Sequence, residues 1–267
     1  MRVPGLGVFQ ENCVRSVVSE KVTAEVYTAG VGPCSPIDSH AHAEYQITLS
    51  PNSNGNYHYR GARHDIPMQS VSFIHPGEGH ACGKKGFRET QACWKVLMLS
   101  PELVREFCGE VMFVSDFTTT NKDVYRSFDR YFNCIWNDCP LAEESLVEAF
   151  QTQRAFRQPN LLPRDVRWRL EKARKFLDST PAHKPTSDEI AAVAGLNKYY
   201  FIRSFKKIYG ITPQRYLLAR RVDHAKRRLS EGLLELAEIA IECGFSDQSH
   251  MTRTFKKFVG VTPTHYC

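Results

Sequence analysis

Two regimes of hydrophobic periodicity divide the 267 residues. From Val14 to about Leu99, short runs of strand character recur: Val22 to Tyr27, Tyr45 to Leu49, Asn56 to Tyr59, Val71 to Ile74 and Lys95 to Leu99. Clusters of Gly and Pro at 30–36, 51–55, 76–79 and 83–86 separate them, which predicts a small barrel or sandwich. Pro101 to Cys108 and the stretch 121–156 read as helices, with Cys139-Pro140 interrupting the second. Arg157 to Pro163, with two prolines, reads as a linker. The predicted organisation is a mostly-β module with added helices over 1–156, a linker over 157–163, and an all-α module over 164–267.

The helical half contains a repeat. Arg203-Ser-Phe-Lys-Lys-Ile-Tyr-Gly-Ile-Thr-Pro213 matches Arg253-Thr-Phe-Lys-Lys-Phe-Val-Gly-Val-Thr-Pro263, and Ile190-Ala191 with Gly195 matches Ile239-Ala240 with Gly244. Two copies are too few for a solenoid, so each is a small supersecondary unit. In the first copy, Thr186 and Glu189 have the spacing of a capping box before a short apolar helix. Gly195 suits the left-handed residue that ends that helix, and Asn197 suits the cap of the next. Phe201, Phe205 and Ile208 then fall on one helical face, Gly210 stops the helix, and Thr212-Pro213 starts another. The second copy repeats the plan: a helix from Leu236 to Cys243, a turn at Gly244, a cap at Ser246 or Asp247, and a stripe of Met251, Phe255 and Phe258. This is the layout of two helix-turn-helix units joined by a long helix. With the stripes inward, the opposite faces carry Lys198, Tyr199, Ile202, Arg203 and Lys206, and Gln248, Ser249, Thr252, Arg253 and Lys256. Such cationic, amide and hydroxyl side chains suit phosphates and base edges in a major groove.

Charge supports that reading. Residues 164–267 hold 20 Lys+Arg against 11 Asp+Glu, whereas residues 1–163 hold 15 against 18. A basic module that seeks a polyanion is joined to one that does not. Between the copies, Pro213 to Ser230 has no internal breaker and predicts a rod of about 27 Å, near the ~34 Å between successive major-groove faces. Arg220, Arg221, Lys226, Arg227 and Arg228 on that rod are candidates for neutralising phosphates, some of them only.

On these residues the segment 164–267 resembles the double helix-turn-helix DNA-binding domain of the AraC/XylS family of bacterial transcription regulators. The most specific part is Gly244-Phe-Ser-Asp-Gln-Ser-His-Met-Thr-Arg-Thr-Phe-Lys-Lys257 with Gly260-Val-Thr-Pro263, and Arg167 to Leu177 resembles the family's first helix. The resemblance implies base reading by Lys198, Tyr199, Ile202, Arg203, Gln248, Ser249, Thr252 and Arg253. Ile202 departs from that role, since it offers only apolar contact. It further implies double-stranded promoter DNA, RNA polymerase, a small-molecule effector and a second copy of the chain as partners, the dimer contact falling on helices within 101–150.

The sharpest feature of the first half is Ser39-His-Ala-His-Ala-Glu-Tyr-Gln46, followed by His75-Pro-Gly-Glu-Gly-His80. On a strand, His40, His42, Glu44 and Gln46 share one face. The pattern resembles a cupin barrel, consistent with the sensor domain common in that regulator family, although Glu44 lies closer to the second His than in the enzyme pattern. Three readings stay open. The favoured one is a ligand-binding pocket wall of His40, His42, Glu44 and His80, with Tyr45 or Trp94 as aromatic sides. The second is a divalent metal site of the three imidazoles with Glu44. The third is histidines that only satisfy turns. No metal or other cofactor is expected, and the alternative function is a metal-dependent cupin enzyme fused to a DNA-binding domain.

The rest is exclusion. No Gly-rich phosphate loop or nucleophile motif is found, so an enzyme is not expected. No apolar run reaches the ~18 residues of a membrane span, and Met1 to Arg15 lacks the apolar stretch of a signal peptide. Nine cysteines without a CxxC pair predict free thiols in a cytoplasmic protein.

Overall fold

The computed structural model of the chain describes residues 13–19, 21–34, 36–83, 86–108, 114, 116–137, 146–147, 150, 163–179 and 182–266. The first module is a pair of facing antiparallel sheets. Six strands run in the order β1 (Cys13–Val18), β2 (Val22–Ala29), β11 (Ala92–Leu99), β5 (Tyr45–Ser50), β8 (Ser70–Ile74), β12 (Thr118–Thr119). Four more run β4 (Ile37–His40), β9 (His80–Cys82), β6 (Gly55–Tyr59), β7 (Ala62–Ile66), and β3 (Gly32–Cys34) pairs with β10 (Gly86–Arg88). Every one of the five predicted runs is a strand, and the shorter strands went unseen because three to five residues with a partly exposed pattern carry little periodic signal.

Strand alternation assigns the two faces of the larger sheet. Tyr45, Ile47 and Leu49 on β5, Ala24 and Val26 on β2, and Leu97 and Leu99 on β11 pack outward against helix α2 (Lys122–Trp136), whose Phe128 and Phe132 complete a dry core with Phe150. Gln46, Thr48 and Ser50, together with Glu25, Tyr27, Trp94, Val96 and Met98, turn the other way, into the space between the sheets. Helix α1 (Pro101–Cys108) matches its predicted span; α2 ends at Trp136, and both the predicted break at Cys139-Pro140 and most of the 157–163 linker lie outside the described residues.

The second module consists of α3 (Arg164–Ser179), α4 (Ser187–Ala194), α5 (Lys198–Tyr209), α6 (Pro213–Glu231), α7 (Leu236–Glu242), α8 (Gln248–Val259) and a 3-10 turn at Pro263–His265. The local signals work as predicted. Thr186 and Glu189 form a reciprocal capping box, Gly195 ends α4 at φ +61°, Asn197 caps α5, and Asp247 rather than Ser246 caps α8 by accepting from the His250 amide. Phe201 and Phe205 from α5 pack with Leu170, Leu177 and Tyr216, while Met251, Phe255 and Phe258 from α8 pack with Val222, Ala225 and Ile239. Helix α6 belongs to both cores and so fixes one helix-turn-helix against the other. Cys13, Cys34, Cys82, Cys93, Cys134 and Cys243 are free thiols, and among the described residues no helix is long and apolar enough to cross a membrane.

The two modules are docked. Val14 of β1 bridges to Tyr266, and the turn Pro76–Gly79 seats on the end of α5, where the Gly79 amide donates to the Tyr209 carbonyl. Gly79 meets Gly210 there because neither carries a side chain: a Cβ on Gly79 would come within 2.5 Å of Ile211 Cγ2 and 3.0 Å of the Tyr209 carbonyl oxygen.

Candidate functional site

A cavity of about 340 Å³ lies between the two sheets. Its wall is amphipathic: Ile37, Trp94, Val96 and Met98 supply apolar surface, and Gln46, Thr48, Tyr57 and the imidazoles supply polar atoms. Gln46 donates to Thr48 Oγ1 at 3.2 Å and to the Tyr57 hydroxyl at 3.3 Å, so the polar wall is ordered before any ligand arrives. The Arg88 guanidinium covers the Trp94 ring at 5.5 Å. Two wall residues come from the helical module, Lys226 of α6 and Phe258 of α8.

His40, His42 and His80 converge on this cavity. Their ring centroids lie 4.9, 4.3 and 5.5 Å apart pairwise, and all three are buried. The expected single strand face is corrected, because β4 ends at His40 and β5 begins at Tyr45, with a bend between. The imidazoles are gathered instead by the pairing of His40 with His80 across β4 and β9. Burial first, and then the neighbouring rings, hold His40 and His80 well below the ordinary histidine range, so both are neutral at pH 7.

Two members of the expected pocket wall stand elsewhere. Tyr45 faces the opposite side of its sheet, edge-on to Phe150 and His75, because it alternates with Gln46. Glu44 turns to the other module, 3.3 Å from Arg220 and 3.1 Å from Arg227. Trp94, His40, His42 and His80 do line the cavity. The motif's remaining histidine, His75, accepts from the Val114 amide and lies in a separate network with Tyr59, Arg60 and Glu78; burial lowers its pKa to about 3.

Sequence reasoning missed the residues that join the cavity to α6. His42 Nδ1 lies 3.0 Å from Asp223 Oδ1, and Arg220 Nη1 lies 2.9 Å from the other oxygen of the same carboxylate. Burial raises the cost of that charge, yet His42 and Arg220 hold the Asp223 carboxyl well below the usual range. Lys226 Nζ lies 2.9 Å from Glu25, which also accepts from the Tyr266 hydroxyl at 2.8 Å. Burial works against the Lys226 ammonium, and Glu25 with Tyr266 and Asp223 more than offsets it, so Lys226 keeps its proton. One signal was available: Glu25 is a lone carboxylate in an apolar strand, and Lys226 lies four residues from Val222 on the core face of α6.

The α6 cations are therefore not a phosphate-binding row. Arg220 also pairs with Asp178 at 3.1 Å, Arg221 donates to the His183 carbonyl, and Arg228 pairs with Glu231 and Glu242. Arg220, Arg221 and Lys226 are buried because α6 is the central helix of its module and the floor of the other.

The exposed cationic faces are those of α5 and α8. Tyr199 is 80% exposed, and Arg203, Lys206, Gln248, Ser249, Arg253 and Lys256 are exposed as predicted. Thr252 is half-buried, and Ile202 packs partly into the core below. Lys198 is held by Asp188 at 2.7 Å at the start of α5.

A family model for an AraC-like ligand binding domain matches residues 35–158, and one for a helix-turn-helix domain matches residues 190–267. "Probable transcriptional regulator LumQ" of Photobacterium leiognathi is 40% identical over 78 residues, 29% of this chain and 32% of that protein. Virulence regulon transcriptional activator VirF of Yersinia enterocolitica is 30% identical over 94 residues, 35% of either chain. The match thus spans about a third of the length of these curated relatives. The crystal structure of ToxT from Vibrio cholerae O395 superposes with a TM-score of 0.68 over 92% of this chain and 96% of that one, at 11% identity, and so shares the two-module fold. An AraC-like ligand-binding domain in front of a double helix-turn-helix makes this chain a member of the AraC family.

Proposed function

We propose that the chain is a sequence-specific DNA-binding transcription regulator whose barrel takes a small-molecule effector, and that it catalyses no reaction. One observation carries the reading: α5 and α8 repeat the same exposed Arg and Lys positions, Arg203 with Lys206 and Arg253 with Lys256, on two helices fixed by one long helix. Two identically equipped helices on a rigid spacer suit two turns of one duplex face. The base-reading set is Tyr199, Arg203, Gln248, Ser249, Thr252 and Arg253, with Lys198, Ile202, Lys206 and Lys256 at its margins.

The cavity, with mixed apolar and hydrogen-bonding walls, suits an organic effector of modest size. A solved ToxT structure holds an unsaturated fatty acid, and the shared fold makes a compound with an apolar body a reasonable first class to screen here. A homodimer through α1 and α2, a contact with RNA polymerase and a cytoplasmic location, with no membrane partner, complete the proposal. The test is selection of duplexes from a randomised library by the full-length protein, followed by titration at several salt concentrations. Enrichment of a motif with two half-sites about one turn apart is the expected result; recovery of unenriched sequence overturns the proposal.

A further inference from the structure

We propose that α5 and α8 read DNA by unlike chemistry: α5 selects thymine through its C5-methyl group, with Tyr199 beside Ile202 as the reader, whereas α8 selects bases through hydrogen bonds. This deepens the regulator reading above and rests on it.

The repeat allows the two helices to be compared position by position. An offset of fifty places Arg203 on Arg253 and Lys206 on Lys256, so these cations are common to both. The differences lie toward the helix N-terminus, the end whose residues contact base edges in a major groove. There α8 carries Gln248, Ser249 and Thr252, each with an amide or hydroxyl that can hydrogen-bond, and Gln248 and Ser249 are exposed. At the same positions α5 carries Lys198, Tyr199 and Ile202. Lys198, the only cation in the first turn of α5, is turned back onto Asp188 of α4 at 2.7 Å. Tyr199, Ile202 and Arg203 stand at i, i+3 and i+4, so they are neighbours on one face. The side chains beside Arg203 are therefore an aromatic ring and an aliphatic chain, whereas those beside Arg253 are two hydroxyls.

The groove supplies one complement to such a pair. Every base pair presents hydrogen-bonding atoms on its major-groove edge, but only thymine presents an apolar group there, the C5-methyl. Tyr199 is 80% exposed and packs into neither core of its module, so its ring keeps apolar surface in water that the fold leaves uncovered. Contact with a methyl group removes part of that surface, and one buried methyl is worth about 4-fold in affinity. Arg203 remains available for a guanine or a phosphate beside the thymine. Two half-sites read by different chemistry differ in sequence, so the operator has a direction, and reversing one half-site lowers affinity.

The experiment uses the full-length protein and the operator recovered by selection. Each thymine is replaced in turn by deoxyuridine, which deletes the methyl group and keeps every hydrogen-bonding atom. A loss of about 4-fold at one or two thymines, all within one half-site, is expected. Tyr199→Ser with Ile202→Thr gives α5 the α8 side chains at both positions, and it should be indifferent to those replacements. Tyr199→Phe keeps the ring and should keep the sensitivity. Thermal midpoints check that the variants fold; Tyr199→Ser alone, at an exposed position, serves if the double variant does not. An operator whose thymine methyls are all dispensable overturns the proposal. So does a deoxyuridine loss that the serine variant retains in full at every sensitive position. Selection that recovers no motif overturns the regulator reading and this one with it, whereas a motif with dispensable methyls overturns this one alone.

Discussion

Glu25 and Lys226 meet, both buried, where the two modules join at the cavity wall, and their worth depends on both being there. Lys226→Met leaves the Glu25 carboxylate with only the Tyr27 and Tyr266 hydroxyls, at a cost of ~3–5 kcal/mol, whereas Lys226→Met with Glu25→Gln should recover most of it. Urea unfolding midpoints of the two single variants and the double variant measure this; a double variant no better than the worse single one contradicts it. Arg253 belongs to the opposite class, an exposed cation on α8. Arg253→Ala should leave the melting temperature near wild type, cost ~1–3 kcal/mol of DNA affinity and relax preference at one base pair. Titration across single-base operator variants is the check, and a uniform loss assigns Arg253 to a phosphate instead. From sequence these two kinds of cation were only half separable. Arg203 and Arg253 stand opposite Phe stripes and were correctly placed outward. Arg220 and Lys226 lie on α6, a helix buried on most sides, and the carboxylates that receive them, Glu44 and Glu25, are some 180–200 residues away.

Elements differed in how legible they were for the same reason. The helix-turn-helix units are written locally, in a capping box, left-handed glycines and a Thr-Pro start, all within a few residues of the feature each controls. The barrel is built from pairings such as β2 with β11 and β5 with β8, which sequence separation hides; five strands and four of the pocket residues are legible, but the rest of the cavity wall, Thr48, Tyr57 and Lys226 among it, is not. Tyr45 stands outside the pocket by plain alternation, since its neighbour Gln46 on β5 faces in. The turn Pro76–Gly79 was readable as a turn and not as a docking element. Its contact gives a prediction: Gly79→Ala forces a methyl group against Ile211 and the end of α5, and should destabilise the docked chain by ~1–3 kcal/mol. Gly86→Ala, with nothing within 4 Å of the added carbon, is the control. Equal thermal midpoints for the two variants would show that the modules separate at no cost.

At the scale of the whole molecule, the basic excess of the second half is partly answered by acids of the first. Asp38, Glu44 and Glu25 take up Arg215, Arg220, Arg227 and Lys226, so the charge left to face a duplex is concentrated on α5 and α8. Salt dependence reads this directly. Lys256→Ala should reduce the slope of log affinity against log salt by about 1, and Arg227→Ala should leave it unchanged. An equal change for both would put α6 back on the DNA. Lys226 and Phe258, finally, are wall residues of the cavity and members of the DNA-binding half at once. A compound in the cavity touches both halves, so it favours whichever mutual placement of them it fits best. Thermodynamic reciprocity then runs backward as well: by whatever factor the compound changes affinity for an operator, the operator changes affinity for the compound. A short duplex is thus itself an effector of the barrel, and its addition provides a way to detect the cavity's natural occupant by how tightly the occupant is held.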